Sequence, residues 1–289
     1  DLGEASRQYL TDKQEQELAR AIMRDVYSSP LYLSDPETEA YLNELGARLL
    51  AESGRSDRSY TFFAVRDPSI NAFALPGGYI GVHTGLIQAA ESESELAGVL
   101  AHEIAHVSQE HLSRMIAAQD KSYLPTLAAI AIAILASRSN ASAGTAAIAT
   151  AQALSIQSQL NFSRDREREA DRVGLETLTS AGFDPRGMSS FFNRLQRANR
   201  LYDNNAPDYL RTHPLNSQRI ADMDARVDKQ PYRQVKDSAE FHLLRARLHA
   251  TEGLAEDAVN RFRDQVKEKK TLLEAASRYG LAVALSRQG

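Results

Sequence analysis

His102-Glu103-Ile104-Ala105-His106 spells H-E-x-x-H inside an apolar-periodic stretch, and that spacing is the main chemistry-bearing feature of the chain. On a helix, residues four apart share a face, so the two imidazoles can bind one zinc ion. Glu103 then stands beside them, where it could take a proton from water held on that ion. A hydrolytic zinc takes three protein donors and leaves one position for water, so a third donor is required. The metzincin extension does not supply it: the glycine and histidine it needs, three and six residues after His106, are Gln109 and Leu112 here. His111 is one residue out of place and on a continuous helix points roughly 140° away from His106. It is expected to be a solvated side chain.

A better third donor lies in Ser163-Arg-Asp-Arg-Glu167-Arg-Glu-Ala-Asp171. Glu167 and Asp171 stand four apart on one helical face, while Glu169 points elsewhere. Glu167 can coordinate through a carboxylate oxygen. Asp171, one turn on, can accept a hydrogen bond from the far ring nitrogen of a ligand histidine and fix its tautomer. Without the histidines the same stretch reads as a solvated helix laced with i,i+4 ion pairs; with them, the coordinating reading is preferred.

The elements that must position these residues follow from caps and periodicity. Thr11 with Gln14 forms a capping-box pattern before a helix over 15–27, and Asp35-Pro36 opens a second that runs to Gly54. Strands are expected over 60–65, 72–75 and 79–83, the last two flanking the turn Pro76-Gly77-Gly78. The motif helix is expected from Glu93 to Gln119, with Leu96, Val99, Leu100, Ile104, Val107, Met115 and Ile116 as its apolar stripe. Further helices are expected from Ser163 to Ala181 with Gly182 as the stop, from Asp184-Pro185 to Arg200, and from Asn216 or Ser217. Asn71, Ala72, Phe73, Gly77 and Gly78 are candidates for a substrate-binding strand that holds an extended peptide by backbone hydrogen bonds. Plain core packing is the equal alternative for its apolar residues.

From Ser238 the character changes to short amphipathic helices. Ala258-x-x-x-Phe262 matches the second helix of a tetratricopeptide repeat, and Arg245-Ala246-x-x-His249 recurs 34 residues later as Tyr279-Gly280-x-x-Val283. Single repeats seldom stand alone, so the array is expected to continue past this chain.

Composition sets the outer bounds. The 289 residues carry a net charge of −4, 43% hydrophobic and 25% charged residues, and no cysteine. Disulfides and thiolate metal sites are excluded, and the charge balance gives no support to nucleic-acid binding. The chain opens on Asp1, as a processed product would. The longest apolar tract, 123–136, is shorter than the ~20 residues that span a bilayer. The Ala-rich stretch 123–154 reads either as a buried helical hairpin or as a flap making peripheral contact with a membrane or partner.

His102-Glu103-x-x-His106, with Glu167-x-x-x-Asp171 beginning 61 residues after His106, resembles the zinc peptidases of the HtpX and CAAX-prenyl-protease superfamily. Asn71-Ala-Phe-Ala-Leu-Pro-Gly-Gly-Tyr-Ile80 and His213-Pro214…Arg219-Ile220 are similar to its soluble branch, and the repeat-like tail to a periplasmic member of that branch. The resemblance implies an α+β, mostly helical fold. A gluzincin-type metallopeptidase domain with a small β-sheet (1–235) would be followed by the start of a tetratricopeptide α-solenoid (236–289). It implies one Zn²⁺ per chain on His102, His106 and Glu167, water as the fourth ligand, Glu103 as proton acceptor and donor, and Asp171 behind the ligands. His213 is structural by default; beside this site it could aid the oxyanion, or swing in as a fourth ligand that closes the site. The implied activity is endopeptidase action in the periplasm with a chaperone-like part in quality control. The implied partners are outer-membrane β-barrel proteins and their assembly machinery, recruited through the repeats. The competing expectation is a non-proteolytic chaperone or adaptor with a structural zinc.

Overall fold

Helix α1 (Asp12–Ser28) starts with the expected capping box. Gln14 N–H donates to Thr11 Oγ1 at 3.3 Å, and Thr11 N–H donates to Gln14 Oε1 at 3.0 Å, so two end-of-helix donors are satisfied reciprocally. In α2 (Pro36–Glu52), the Asp35 carboxylate accepts from Thr38 N–H at 3.1 Å with Pro36 in the first turn. The computed structural model describes residues 11–53, 58–112, 114, 164–201, 207–268 and 274–289. The Ala-rich 123–154 stretch lies outside them.

Three short strands follow: β1 (Thr61–Val65), β2 (Ala72–Leu75) and β3 (Tyr79–His83). Their order is β1-β3-β2, with β1 parallel and β2 antiparallel to β3. A 3₁₀ turn, Pro76–Gly78, joins β2 to β3 with Gly77 at φ 76° and Gly78 at φ 82°. Two consecutive left-handed residues are what only glycine adopts cheaply. The turn is tied to α1, because Gly77 N–H donates to Glu15 Oε1 at 2.9 Å.

After α3 (Thr84–Ala89) comes α4 (Glu93–Ser108), the motif helix. It corrects the expected one-sided stripe: every residue from Glu93 to Ser108 is buried. The sheet, α2, α5 (Arg164–Ser180) and α6 (Arg186–Leu201) enclose it, so it belongs to the class of helices covered on all sides. Small residues allow the close packing. A Cβ on Gly98 would sit 2.9 Å from Met188 Cα of α6, and one on Gly174 of α5 would sit 3.0 Å from His102 Cα.

The expected continuous helix to Gln119 is corrected at 109–110: α4 stops at Ser108, residues 111, 112 and 114 are helical beyond the break, and 113 and 115–119, with the expected stripe residues Met115 and Ile116, lie outside the described residues. Glu110 takes φ 53°, a conformation rare for a side-chain-bearing residue. Its carboxylate meets Arg58 Nη2 at 3.0 Å, which fixes the kink.

The chain then runs through α7 (Asp208–Thr212), α8 (Ser217–Val227), α9 (Ala239–Thr251), α10 (Ala255–Glu268) and α11 (Glu274–Ser286). Helix α9 serves two cores. Phe241, Leu244 and Leu248 join the main one, while Ala246 and Ala250 pack with Ala258, Val259 and Phe262 of α10 and Ala276 and Ala284 of α11. Polar links dock α9 as well: Ser238 Oγ donates to Glu93 Oε1 at 2.6 Å, and Arg247 Nη2 donates to Asp35 Oδ1 at 2.6 Å. Burial alone would raise the Asp35 carboxyl, yet hydrogen bonds from Arg247 and Thr38 hold it below the ordinary carboxylate range.

Candidate metal centre

Helices α4 and α5 cross where Gly174 meets His102, and the crossing brings the two halves of the motif together. His102 Nε2 and His106 Nε2 lie 3.0 Å apart. Glu167 faces both, with Oε2 3.5 Å from His102 Nε2 and Oε1 3.3 Å from His106 Nε2. His213, the residue that ends α7, completes the group: its Nδ1 is 3.0 Å from Glu167 Oε1 and 3.4 Å from His102 Nε2. One donor atom from each of His102, His106, Glu167 and His213 lies within 4.8 Å of all the others, and all four side chains are buried.

The donor set fits zinc. Three imidazole nitrogens and one carboxylate oxygen are among its preferred donors, and bonds near 2.1 Å in a tetrahedron set neighbouring donors roughly 3.4 Å apart. The separations of 3.0 to 3.5 Å given above bracket that spacing. Glu103 supplies a second sign of fit. It is 0% exposed, and neither carboxylate oxygen has a hydrogen-bond partner among the described residues. His213 Nε2 lies 3.5 Å from Glu103 Oε1. An isolated buried carboxylate is costly, and a divalent cation beside it offsets that cost.

Behind the donors stands a polar layer. Asp171 Oδ1 lies 3.2 Å from His102 Nδ1, close enough to orient the ring, though off the line of an ideal hydrogen bond. Arg219 of α8, 1% exposed, donates from Nε and Nη2 to the two Asp171 oxygens at 2.7 Å each, and its Nη1 sits 2.7 Å from Glu167 Oε2. Tyr209 stacks on His213 with centroids 4.6 Å apart and planes at 23°. The electrostatics follow. Burial works against ionised Glu167, but His213, His102 and His106 outweigh it and hold the carboxyl well below its ordinary range. Burial likewise disfavours charge on His102, but Asp171 and Glu167 lift it to about 9. His106, where burial dominates, is pushed down.

One expectation is overturned here. His111 is 0% exposed, not solvated. The turn at Gln109–Glu110 swings it back, so that its Nδ1 lies 2.9 Å from His106 Nδ1 and its Nε2 3.0 Å from Glu169 Oε2. Glu169 does point away from the four donors, toward His111. Periodicity could not reveal this pair, because an i,i+5 contact requires a broken helix. Tyr209 was within reach of the sequence, since it lies one turn before His213.

The strand residues divide. Asn71, Ala72 and Phe73 are buried, and Phe73 packs with Ile22, Met23, Val26 and Phe63. The part of β2 that flanks the donors is its end, where Ala74, Leu75 and Pro76 share a cleft with His106, Val107 and Glu110. Gly77 and Gly78 form the turn just beyond.

Comparison with known proteins agrees with this geometry. The chain is 40% identical over 285 residues to a putative beta-barrel assembly-enhancing protease of Vibrio cholerae, covering 98% of this chain and 59% of the relative. It is 32% identical over 247 residues to the beta-barrel assembly-enhancing protease of Escherichia coli, covering 86% of this chain and 50% of the relative. A mitochondrial metalloendopeptidase OMA1 of Schizosaccharomyces pombe is 32% identical over 195 residues, covering 67% of this chain and 54% of the relative. The chain thus spans roughly half to three-fifths of the length of these relatives. The model of peptidase family M48 matches residues 36–227, a span that holds the whole donor cluster from His102 to His213 together with Arg219. The chain therefore belongs to peptidase family M48, whose members are zinc metallopeptidases.

Proposed function

We propose that this chain is the catalytic portion of a zinc-dependent endopeptidase of the bacterial periplasm. It would act in quality control and assembly of outer-membrane β-barrel proteins, with a chaperone-like part beside cleavage. The observation that carries the enzymatic reading is the buried Glu103 carboxylate beside a four-donor cluster. A purely structural zinc, the competing adaptor reading, has no use for such a group. The biological setting is supported by the names of the Vibrio cholerae and Escherichia coli relatives. No helix among the described residues is long and apolar enough to cross a membrane.

His102, His106 and Glu167 would hold the cation. Zinc, when bound, acidifies water and polarises a substrate carbonyl. Glu103 accepts the proton of the attacking water and returns it to the leaving amine. Asp171 keeps the His102 ring turned toward the cluster. The end of β2, Ala74 and Leu75, is the edge along which an extended peptide would pair its backbone. Residues 236–289 form the start of a tetratricopeptide array that recruits protein partners. Gly280 against the Phe262 ring, where a Cβ would sit 2.4 Å from Cε1, supports that reading, because close helix packing at small residues is what such repeats need.

His213 is assigned to a closed resting state, since its Nδ1 already lies among the donor atoms. Its replacement, His213→Ala, is expected to raise cleavage of an unfolded protein several-fold. A fall in rate would instead place His213 at the oxyanion. The direct test of the whole reading is cleavage of an unstructured protein before and after chelation, with zinc content measured in parallel. Activity is expected to vanish with the metal and return on zinc addition. Cleavage that survives complete zinc removal would refute it.

A further inference from the structure

Of the two motif histidines, His102 has a carboxylate behind it, Asp171, at 3.2 Å. His106 is placed differently. Its Nε2 faces His102 and Glu167, and its Nδ1 faces Nδ1 of His111 at 2.9 Å. On the other side of that ring, His111 Nε2 lies 3.0 Å from Glu169 Oε2.

We propose that His111 and Glu169 form a directional hydrogen-bond chain that orients His106 for the cation, as positioning residues the H-E-x-x-H motif does not contain. The inference rests on the reading of His106 as a zinc ligand. Two lone pairs cannot face each other at 2.9 Å, so one of the two Nδ1 atoms must carry a proton. With His106 Nε2 turned into the donor cluster, its own proton sits on Nδ1 and is donated to His111. His111 must then hold its proton on Nε2, and it finds its acceptor in Glu169. Every tautomer in the chain is thereby fixed, from the carboxylate to the metal-facing nitrogen. Each ligand histidine is thus backed by a carboxylate, one directly and one through an intervening imidazole.

Glu169 is itself anchored, because Arg114 Nη1 donates to the same oxygen at 3.0 Å and to Gln109 O at 3.2 Å. The kink that delivers His111 is held by the Arg58–Glu110 pair. A continuous helix through 109–111 would carry His111 out of reach.

The test uses the full chain and two readouts: zinc affinity by competition with a chromophoric chelator, and the Nδ1 proton resonance of His106 in zinc-loaded, ¹⁵N-labelled protein. His111→Phe keeps the ring volume and removes the acceptor. It is expected to weaken zinc binding by about 10- to 100-fold, the usual cost of losing such a partner, and to shift the His106 resonance upfield. His111→Asn places an amide oxygen where Nδ1 was and is expected to restore most of the affinity. His111→Phe binding zinc as tightly as wild type with that resonance unmoved, or His111→Asn binding no better than His111→Phe, overturns the proposal. If His111→Phe does not fold, Glu169→Gln carries the test at a side chain 29% exposed. Weaker zinc binding with a shifted His111 Nε2 proton supports the chain, and no change in either sinks it. A wild-type protein that binds no zinc would overturn the ligand reading and this inference together, whereas zinc held equally by wild type and variants removes only the inference.

Discussion

Replacing Glu103 by Gln is expected to lower peptide cleavage by about 10²- to 10⁴-fold, the span that a positioned general base contributes, while zinc content stays at one per chain. The amide matches the carboxylate in shape and cannot take a proton from the attacking water. None of the four clustered side chains, His102, His106, Glu167 and His213, changes. The variant should also fold at least as well as the parent. Glu103 is 0% exposed with both oxygens lacking hydrogen-bond partners among the described residues. Exchanging that charge for a neutral group removes a desolvation cost without breaking a bond. Turnover, bound zinc and thermal midpoint, measured on one preparation, separate this outcome from simple damage. A variant that keeps more than a tenth of the parent rate would show that Glu103 is not the base.

The sequence was most informative where a local rule sufficed. Thr11–Gln14 and Asp35-Pro36 are signals contained within one helical turn, and the structure contains both helix starts. Pro76-Gly77-Gly78 marked its turn because consecutive left-handed backbone leaves few other residue types. The pairs His102/His106 and Glu167/Asp171 were readable for the same reason, as i,i+4 spacing defines a shared face. What failed were statements that depend on how elements pack. The motif helix is covered on every side, so its buried polar residues, Ser94, Glu95 and the donors among them, broke the stripe that its periodicity suggested. His111 was misplaced because a single left-handed residue, Glu110, ended the helix, and glutamate carries no signal for that conformation. Arg219 reads in the sequence as one more arginine on an amphipathic helix. Its burial follows only from two carboxylates that arrive from another helix.

That arginine is where the largest loss of stability is expected. Arg219 forks onto Asp171 with two bonds of 2.7 Å, reaches Glu167 Oε2 at 2.7 Å, and donates to Pro214 O at 2.8 Å. Arg219→Met keeps much of the stem and removes the cation, leaving Asp171 buried without its main partner. Breaking one side of a buried ion pair costs about 3–5 kcal/mol. Lysine should recover only part of this, since one ammonium cannot match the planar fork. The pH dependence carries a further sign. Burial alone would raise the Asp171 carboxyl, but Arg219 and His102 hold it below its ordinary value in the folded wild type. The pair therefore stabilises the fold above roughly pH 4, the unfolded titration range, and the contribution is lost as pH falls through the folded value. In Arg219→Met the burial effect is no longer opposed by the guanidinium, and the Asp171 pKa moves upward. The deficit should then be fullest at neutral pH and shrink toward pH 4.5, where protonation relieves the stranded charge. Denaturant unfolding of zinc-loaded wild type and variant at both pH values measures it. A loss below about 1 kcal/mol at pH 7, far under the range for breaking a buried pair, or an equal deficit at the two pH values, would mean that Arg219 does not neutralise the acidic layer behind the donors.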